Sequence, residues 1–212
     1  MIGSAIIDDE ACREASKQEI IRRYFATACN VKKGLAEPSE LHKQEMLMNY
    51  LHLTPDMRPC VPAARKKAEE TGAPAAAIEL PDGRIVTGKT SGLMGACSAA
   101  LLNSLKTLAG IHDRVNLIAP MVLAPIQHLK VEHLGNSNPR LHTDEILIAL
   151  SSSVSENEYA AKAMEQIPNL KGCDIHSTVI LSSVDADTLK KLGMYLTCEP
   201  TYEEDDRMYH KK

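Results

Sequence analysis

Residues 73–91, APAAAIELPDGRIVTGKTS, decide how the chain is read, because they spell a nucleotide-binding pattern inside what looks like a β-hairpin. From Gly83 to Thr90 the letters fit G-x-x-x-x-G-K-[ST]. A phosphate loop of that type needs a strand that ends before its first glycine, a compact loop whose amides curl around phosphates, and a helix that begins at the lysine. Here Pro81-Asp82-Gly83 is turn punctuation between two short apolar runs, and Ile85, Val86 and Thr87 are β-branched residues suited to extended backbone. The expectation is a hairpin strand that spells the motif by accident. A weaker anion site stays open at Gly88, Lys89, Thr90 and Ser91, where strand meets helix and exposed amides plus one ammonium could hold a phosphate or carboxylate.

Upstream, the pattern is helical. Ile21, Tyr24, Phe25 and Ala28 recur at helical spacing behind acidic Asp8, Asp9 and Glu10; Pro38 and Ser39 open a second helix with Leu47, Met48 and Leu51, and a third runs from Pro62 to Thr71 with Gly72 as its stop. Downstream, Met94, Cys97, Leu101, Leu105 and Leu108 mark a helix from Ser91 to Gly110, and VNLIA (115–119) reads as a buried strand. A helix after Pro120 ends at Gly135. Another takes Thr143 as N-cap, and Ser155 with Glu158 makes a capping box for a third. IHSTVILS (175–182) reads as strand, a short helix runs from Asp185 to Gly193, and MYLTC (194–198) closes the sheet. The fold class is therefore α/β, a layered sheet with a β-hairpin and crossover helices preceded by an N-terminal helical segment. We divide the chain into a helical segment at 1–72, an α/β domain at 73–200 and a polar tail at 201–212.

Composition narrows the function. The 212 residues are 44% hydrophobic, enough for a substantial core, and 24 basic against 28 acidic residues give a net charge of -4 with no basic run. With no Trp and one Phe, a base-stacking surface is not expected, so nucleic acid is not an expected partner. No stretch approaches the ~20 apolar residues of a membrane span and the N-terminus lacks a signal-peptide pattern, so neither a membrane partner nor export is expected. Six scattered cysteines read as free thiols of a cytoplasmic protein.

The densest polar stretch is GNSNPRLHTDE, residues 135–145. Arg140 could clamp an oxyanion, His142 could exchange protons near neutral pH, and Asp144 or Glu145 could orient it or hold a cation, with Asn138 beside them. The bland reading is a helix cap, with Asn and Pro shaping the turn. Cys173 with His176, and His142 with Glu145, could each be half of a zinc site; a lone C-x-x-H is weak, so no metal is assigned. Cys97 reads as a small core residue. Ser98 and Ala99, which follow it, also leave no Glu where nucleoside-deaminase chemistry requires one.

The stretches ETGAPAAAIELPDGRIVTGKTSGLMGACSAALLNSLK, HLGNSNPRLHTDEILIALS and LKGCDIHSTVILSSVD, with REASKQEIIRRYF and LGMYLTCEP, resemble the C-terminal half of a bacterial family of uncharacterised proteins, domain of unknown function 1846. The resemblance runs over almost the whole chain. It implies that this chain lacks the family's N-terminal half, an α/β unit with a G-x-G-S-G-K loop, and it carries over no catalytic residues or cofactor. Other members read closer to SSLLGASSA at SGLMGACSA, which argues against an essential thiol at Cys97. Two functions follow as expectations. One is a pocket for an anionic metabolite or nucleotide lined by Lys89, Thr90, Ser91 and Asn138 to Glu145, with Arg140, His142, Asp144 and Glu145 as the catalytic candidates. The other is a non-catalytic assembly domain that binds the missing N-terminal half or another copy of itself as a homo-oligomer.

Overall fold

The computed structural model describes residues 8–203. Three helices come first, α1 (Asp9–Lys32), α2 (Pro38–Tyr50) and α3 (Cys60–Thr71). Asp8 caps α1 by accepting the Ala11 N–H, and Gly72 ends α3 in the left-handed conformation at φ 63°. The hairpin follows as β1 (Ala75–Glu79) and β2 (Ile85–Lys89), then α4 (Ala96–Leu108), α5 (Pro120–His128), α6 (Thr143–Ser153) and α7 (Glu158–Met164). The chain closes with β3 (Asp174–Ser177), α8 (Ser183–Lys191) and β4 (Tyr195–Cys198).

The four strands form one mixed sheet in the order β2-β1-β3-β4. β1 runs antiparallel to both neighbours, whereas β3 and β4 are parallel and joined by the α8 crossover. Strand parity sorts the helices into two layers. Ala77 and His176 pair in register and face α1 and α3, where Phe25 lies against the His176 ring and Cys60 and Ala64 meet Ala77. Ala76, Ile78 and Ile175 face the other way into the main core, with Leu101 and Leu105 of α4, Ile146 and Leu150 of α6, Ala160 of α7 and Leu189 of α8. Each of these buried Leu and Ile side chains contributes about 1.5–3 kcal/mol. A smaller cluster of Ile21, Phe25, Met48, Leu53 and Val61 joins α1 and α2 to α3.

The structure answers the question raised by residues 83–90. Ile85 to Lys89 are paired residue for residue with Glu79 to Ala75, and Gly83 turns the hairpin at φ 80°. The residue in the motif's second glycine position has a packing role instead. A Cβ on Gly88 would stand 2.1 Å from the Ala100 backbone nitrogen, so its absence lets α4 lie directly on β2. The helix begins at Ala96, well past Lys89, so no helix N-terminus faces that lysine.

Other sequence expectations need correction. Residues 115–119 are bends and irregular backbone, not a strand; Leu117 and Ile118 are buried there in the main core without sheet partners. Strand β3 ends at Ser177, whose hydroxyl donates to the nearby Val179 carbonyl, while the Thr178 hydroxyl donates to the Ala75 carbonyl at the start of β1, so IHSTVILS is only partly extended. The helix after the hairpin starts at Ala96 instead of Ser91, whose hydroxyl accepts from the Leu93 and Met94 amides in a turn. Asn157, not Ser155, caps α7. The last helix starts at Ser183 with Ser182 as cap, ahead of Asp185. The polar tail falls outside the described residues from 204 onward.

Candidate functional site

Three helix N-termini point at one cavity. At the sheet end where β2, β3 and β4 finish, α4, α6 and α8 begin with Gly95, His142 and Ser182 as their caps. A cavity of about 330 Å³ opens among them, lined by Thr90, Gly95, Ala96, Asn138, Arg140 and His142, by residues 179–182 and Asp185, and by Tyr202 and Glu203. Among the described residues, no side chain caps α4. Helix N-termini carry partial positive charge, and each favours a nearby anion by about 0.3–1 kcal/mol.

Local bonds hold the 138–142 loop in place. Leu141 is buried, and its amide donates to the Leu93 carbonyl, which pins the loop to the turn before α4. Gln127 donates to Gly92 and Pro139 carbonyls, and the Asn138 side chain accepts from the Arg140 amide. Lys130 is 3% exposed; its ammonium donates to the Arg140 carbonyl and to Glu145 Oε2, both at 2.7 Å. Glu145 Oε2 also accepts the His142 amide at 2.7 Å.

His142 is held from its other side by Asp185. Nδ1 lies 2.9 Å from Asp185 Oδ2, and that oxygen also accepts from Ser182 Oγ at 2.8 Å. Asp185 Oδ1 accepts from the Thr143 amide at 2.7 Å and from Thr143 Oγ1 at 2.8 Å. Burial alone would raise the Asp185 pKa, but the His142, Thr143 and Ser182 bonds outweigh it and hold the carboxyl at about 2. The same hydrogen bond raises His142 above its usual value against opposing burial. With Nδ1 committed to Asp185, His142 has no partner for Nε2 among the described residues. Ser182 sits 3.5 Å from Nδ1, the nitrogen already used by the carboxylate, so it acts as helix cap and not as a nucleophile activated by His142.

The structure gathers part of the sequence-expected set. Thr90, Asn138, Arg140 and His142 share the cavity wall; Lys89 and Ser91 are exposed outside it. Asp144 does not orient His142 but accepts the Glu145 amide, and Glu145 is spent on Lys130 and the His142 backbone. The N-cap of α6 is His142, not Thr143, because Thr143 is already helical and its hydroxyl serves Asp185. In the Cys173–His176 half-site each side chain has another partner: Cys173 donates to the Asn169 carbonyl, while His176 is wedged between Thr197 Oγ1 and Glu199. Among the described residues, no group of three or more His, Cys, Asp or Glu is placed to hold a metal.

Sequence reasoning missed Asp185, Ser182 and Lys130. The S-x-x-D spacing of Ser182 and Asp185 behind a strand was a usable signal for the first two. Nothing in the sequence marks Lys130 as buried.

Comparison with known proteins fits this arrangement into a family. The model described as "Domain of unknown function DUF1846, C-terminal" matches residues 56–209, and "Domain of unknown function DUF1846, N-terminal" matches residues 1–52. Relatives named UPF0371 protein from Streptococcus thermophilus and Streptococcus pneumoniae are each 53% identical over 211 residues, covering 100% of this chain and 42% of their own length. The chain belongs to the DUF1846 family. The expectation of a C-terminal half lacking its N-terminal part is thereby corrected: α1 and α2 fall under the N-terminal model, and Ile21, Phe25 and Met48 pack on Val61 of the C-terminal one.

Proposed function

We propose that this chain of the DUF1846 family binds a small anionic metabolite in the cavity between α4, α6 and α8. Arg140 pairs with the anion, and His142, oriented by Asp185, donates a proton or hydrogen bond to it from Nε2. The observation that supports the reading most is the convergence of three helix N-termini on one cavity that also holds a guanidinium and an imidazole. At about 330 Å³ the cavity matches the lower end of small-molecule pockets, which favours a phosphorylated or carboxylated metabolite over a nucleoside triphosphate. We assign no reaction. A cytoplasmic location belongs to the same reading: all six cysteines are free, and no helix among the described residues is long and apolar enough to cross a membrane.

Thermal melts with inorganic phosphate, phosphorylated metabolites and dicarboxylates test it. Ligand at about 100 times Kd adds about 2.7 kcal/mol to stability. Arg140→Ala and His142→Ala are expected to remove that gain; a gain that survives both substitutions rules the site out.

The assembly reading keeps one observation in its favour. On α2, Met46 and Tyr50 are 59% and 80% exposed, beside partly exposed Leu47 and Leu51. Light scattering that returns a monomer at high concentration removes self-assembly as the use of that face.

A further inference from the structure

The two edges of the sheet are finished differently. At β4 the outer edge is covered by α1: Cys29 Sγ donates to the Cys198 carbonyl at 3.2 Å, and the Arg22 guanidinium lies over the Tyr195 ring. At β2 both faces are covered, by α4 at Gly88 and by the α3 cluster at Ile85, but the edge is open. The hairpin ladder fixes which backbone groups point there. The Leu80 amide donates to the Arg84 carbonyl and the Thr90 amide to the Pro74 carbonyl, so the even-numbered residues of β2 bond inward to β1. Ile85, Thr87 and Lys89 therefore turn their amides and carbonyls outward. Asn103 Nδ2 donates to the Thr87 carbonyl at 2.9 Å; among the described residues the other outward groups have no partner. The groove beside Ile85 to Thr87, about 580 Å³, is also lined by Asn103, Thr107 and Asp113.

We propose that β2 pairs through this edge with β2 of a second copy of the chain, antiparallel about a two-fold axis, joining two four-stranded sheets into one. The proposal is independent of the anion-binding reading. Open edge groups are satisfied by extended backbone, so the occupant is a strand and not a helix. A register centred on Thr87 sets Thr87 against Thr87 and Ile85 against Lys89 of the second copy, all of them residues with outward groups. The Thr87 carbonyl keeps a second lone pair beside the Asn103 bond. Charge then favours a second copy over an unrelated strand. At the start of β2, Asp82 is already paired with Arg84, and the Lys106 ammonium is spent on the Asp113 carbonyl, which leaves the Asp113 carboxylate without an ion pair among the described residues. At the far end Lys89 is exposed and makes none either. Antiparallel pairing carries each Lys89 to the Asp113 end of the other copy, so opposite charges meet twice across the two-fold axis.

Sedimentation equilibrium of this chain from micromolar to millimolar concentration tests the proposal, with a dimer of twice 23.2 kDa expected at the upper end. The Thr87 amide faces away from β1, so Thr87→Pro removes an inter-copy bond and sets a ring on the edge while the hairpin keeps its own ladder. It is expected to weaken dimerisation by about tenfold or more. Lys89→Asp is expected to weaken it too, and Asp113→Lys added to Lys89→Asp to restore it. A parent that stays monomeric throughout overturns the proposal. So does a dimer that keeps parent affinity in Thr87→Pro; its loss in Tyr50→Glu would then place the contact on α2. Should Thr87→Pro fail to fold, amide exchange of the parent decides: Ile85, Thr87 and Lys89 amides that exchange about tenfold more slowly in the concentrated chain than in the dilute one support the paired edge, and equal rates refute it.

Discussion

Strand β2 and the 138–142 loop both approach the N-terminus of α4, yet they serve it in different ways. The strand lies under the helix: Gly88 touches the Ala99–Ala100 backbone, and Lys89 extends away into solvent. The loop lies across its end, where Leu141 is pinned to Leu93 and the neighbouring Arg140 and His142 line the cavity. The first region spells a phosphate-binding motif and has none of its geometry. The second matches no motif and supplies the charged side chains. A glycine in a pattern can mean an approach by phosphate or an approach by backbone, and only the partner 2–3 Å away distinguishes the two.

The largest expected effect sharpens the strand's side of this comparison. Gly88→Val drives a branched side chain into the α4 backbone, for which no rotamer gives relief. We expect a loss of about 3 kcal/mol or more, or failure to fold, read by urea denaturation. Any folded fraction should keep its phosphate response. Gly88→Val with full stability would break the account of that contact.

Second in size is the Asp185 network. Its carboxyl sits at about 2 in the folded chain against an ordinary 3.8, so ionisation stabilises the fold fully above about pH 4, and the contribution is lost as pH falls through about 2. Asp185→Asn should therefore cost about 2 kcal/mol near pH 7, and the gap to the parent should close towards pH 2 in denaturation curves. A gap that stays constant with pH would mean that the bonds, and not the charge, carry the effect. His142 has the opposite sign: its raised pKa stabilises below about 6.5 and that gain is lost as pH rises through the raised value.

The smallest effect is the most discriminating. Lys89→Ala removes the lysine of the apparent motif from an exposed position, and should change stability by less than about 0.5 kcal/mol and phosphate binding not at all.

How much of this was legible beforehand depends on whether the information was local. The hairpin could be read because Pro81-Asp82-Gly83 and the β-branched run at 85–87 set their own backbone. The α6 start could be read to within one residue from its acidic first turn. Leu117 and Ile118 misled because an apolar run is equally consistent with a strand and with a buried irregular loop. Half of the candidate site was visible, at 138–142. The other half, Ser182, Asp185 and Glu203, comes from segments 40 or more residues away, which the β3–α8–β4 crossover brings alongside. Spacing along the chain points to Asp144 and Glu145 of its own helix as the partner of His142, whereas the structure supplies Asp185 from the N-terminus of α8.

The decisive measurement is an amide-resolved NMR titration of the chain with inorganic phosphate. Shifts confined to Gly95, Ala96, residues 140–143 and Ser182, with 83–89 silent, are the predicted result. Shifts centred on Gly83 to Lys89 with a silent cavity would return the anion site to the hairpin and contradict the account.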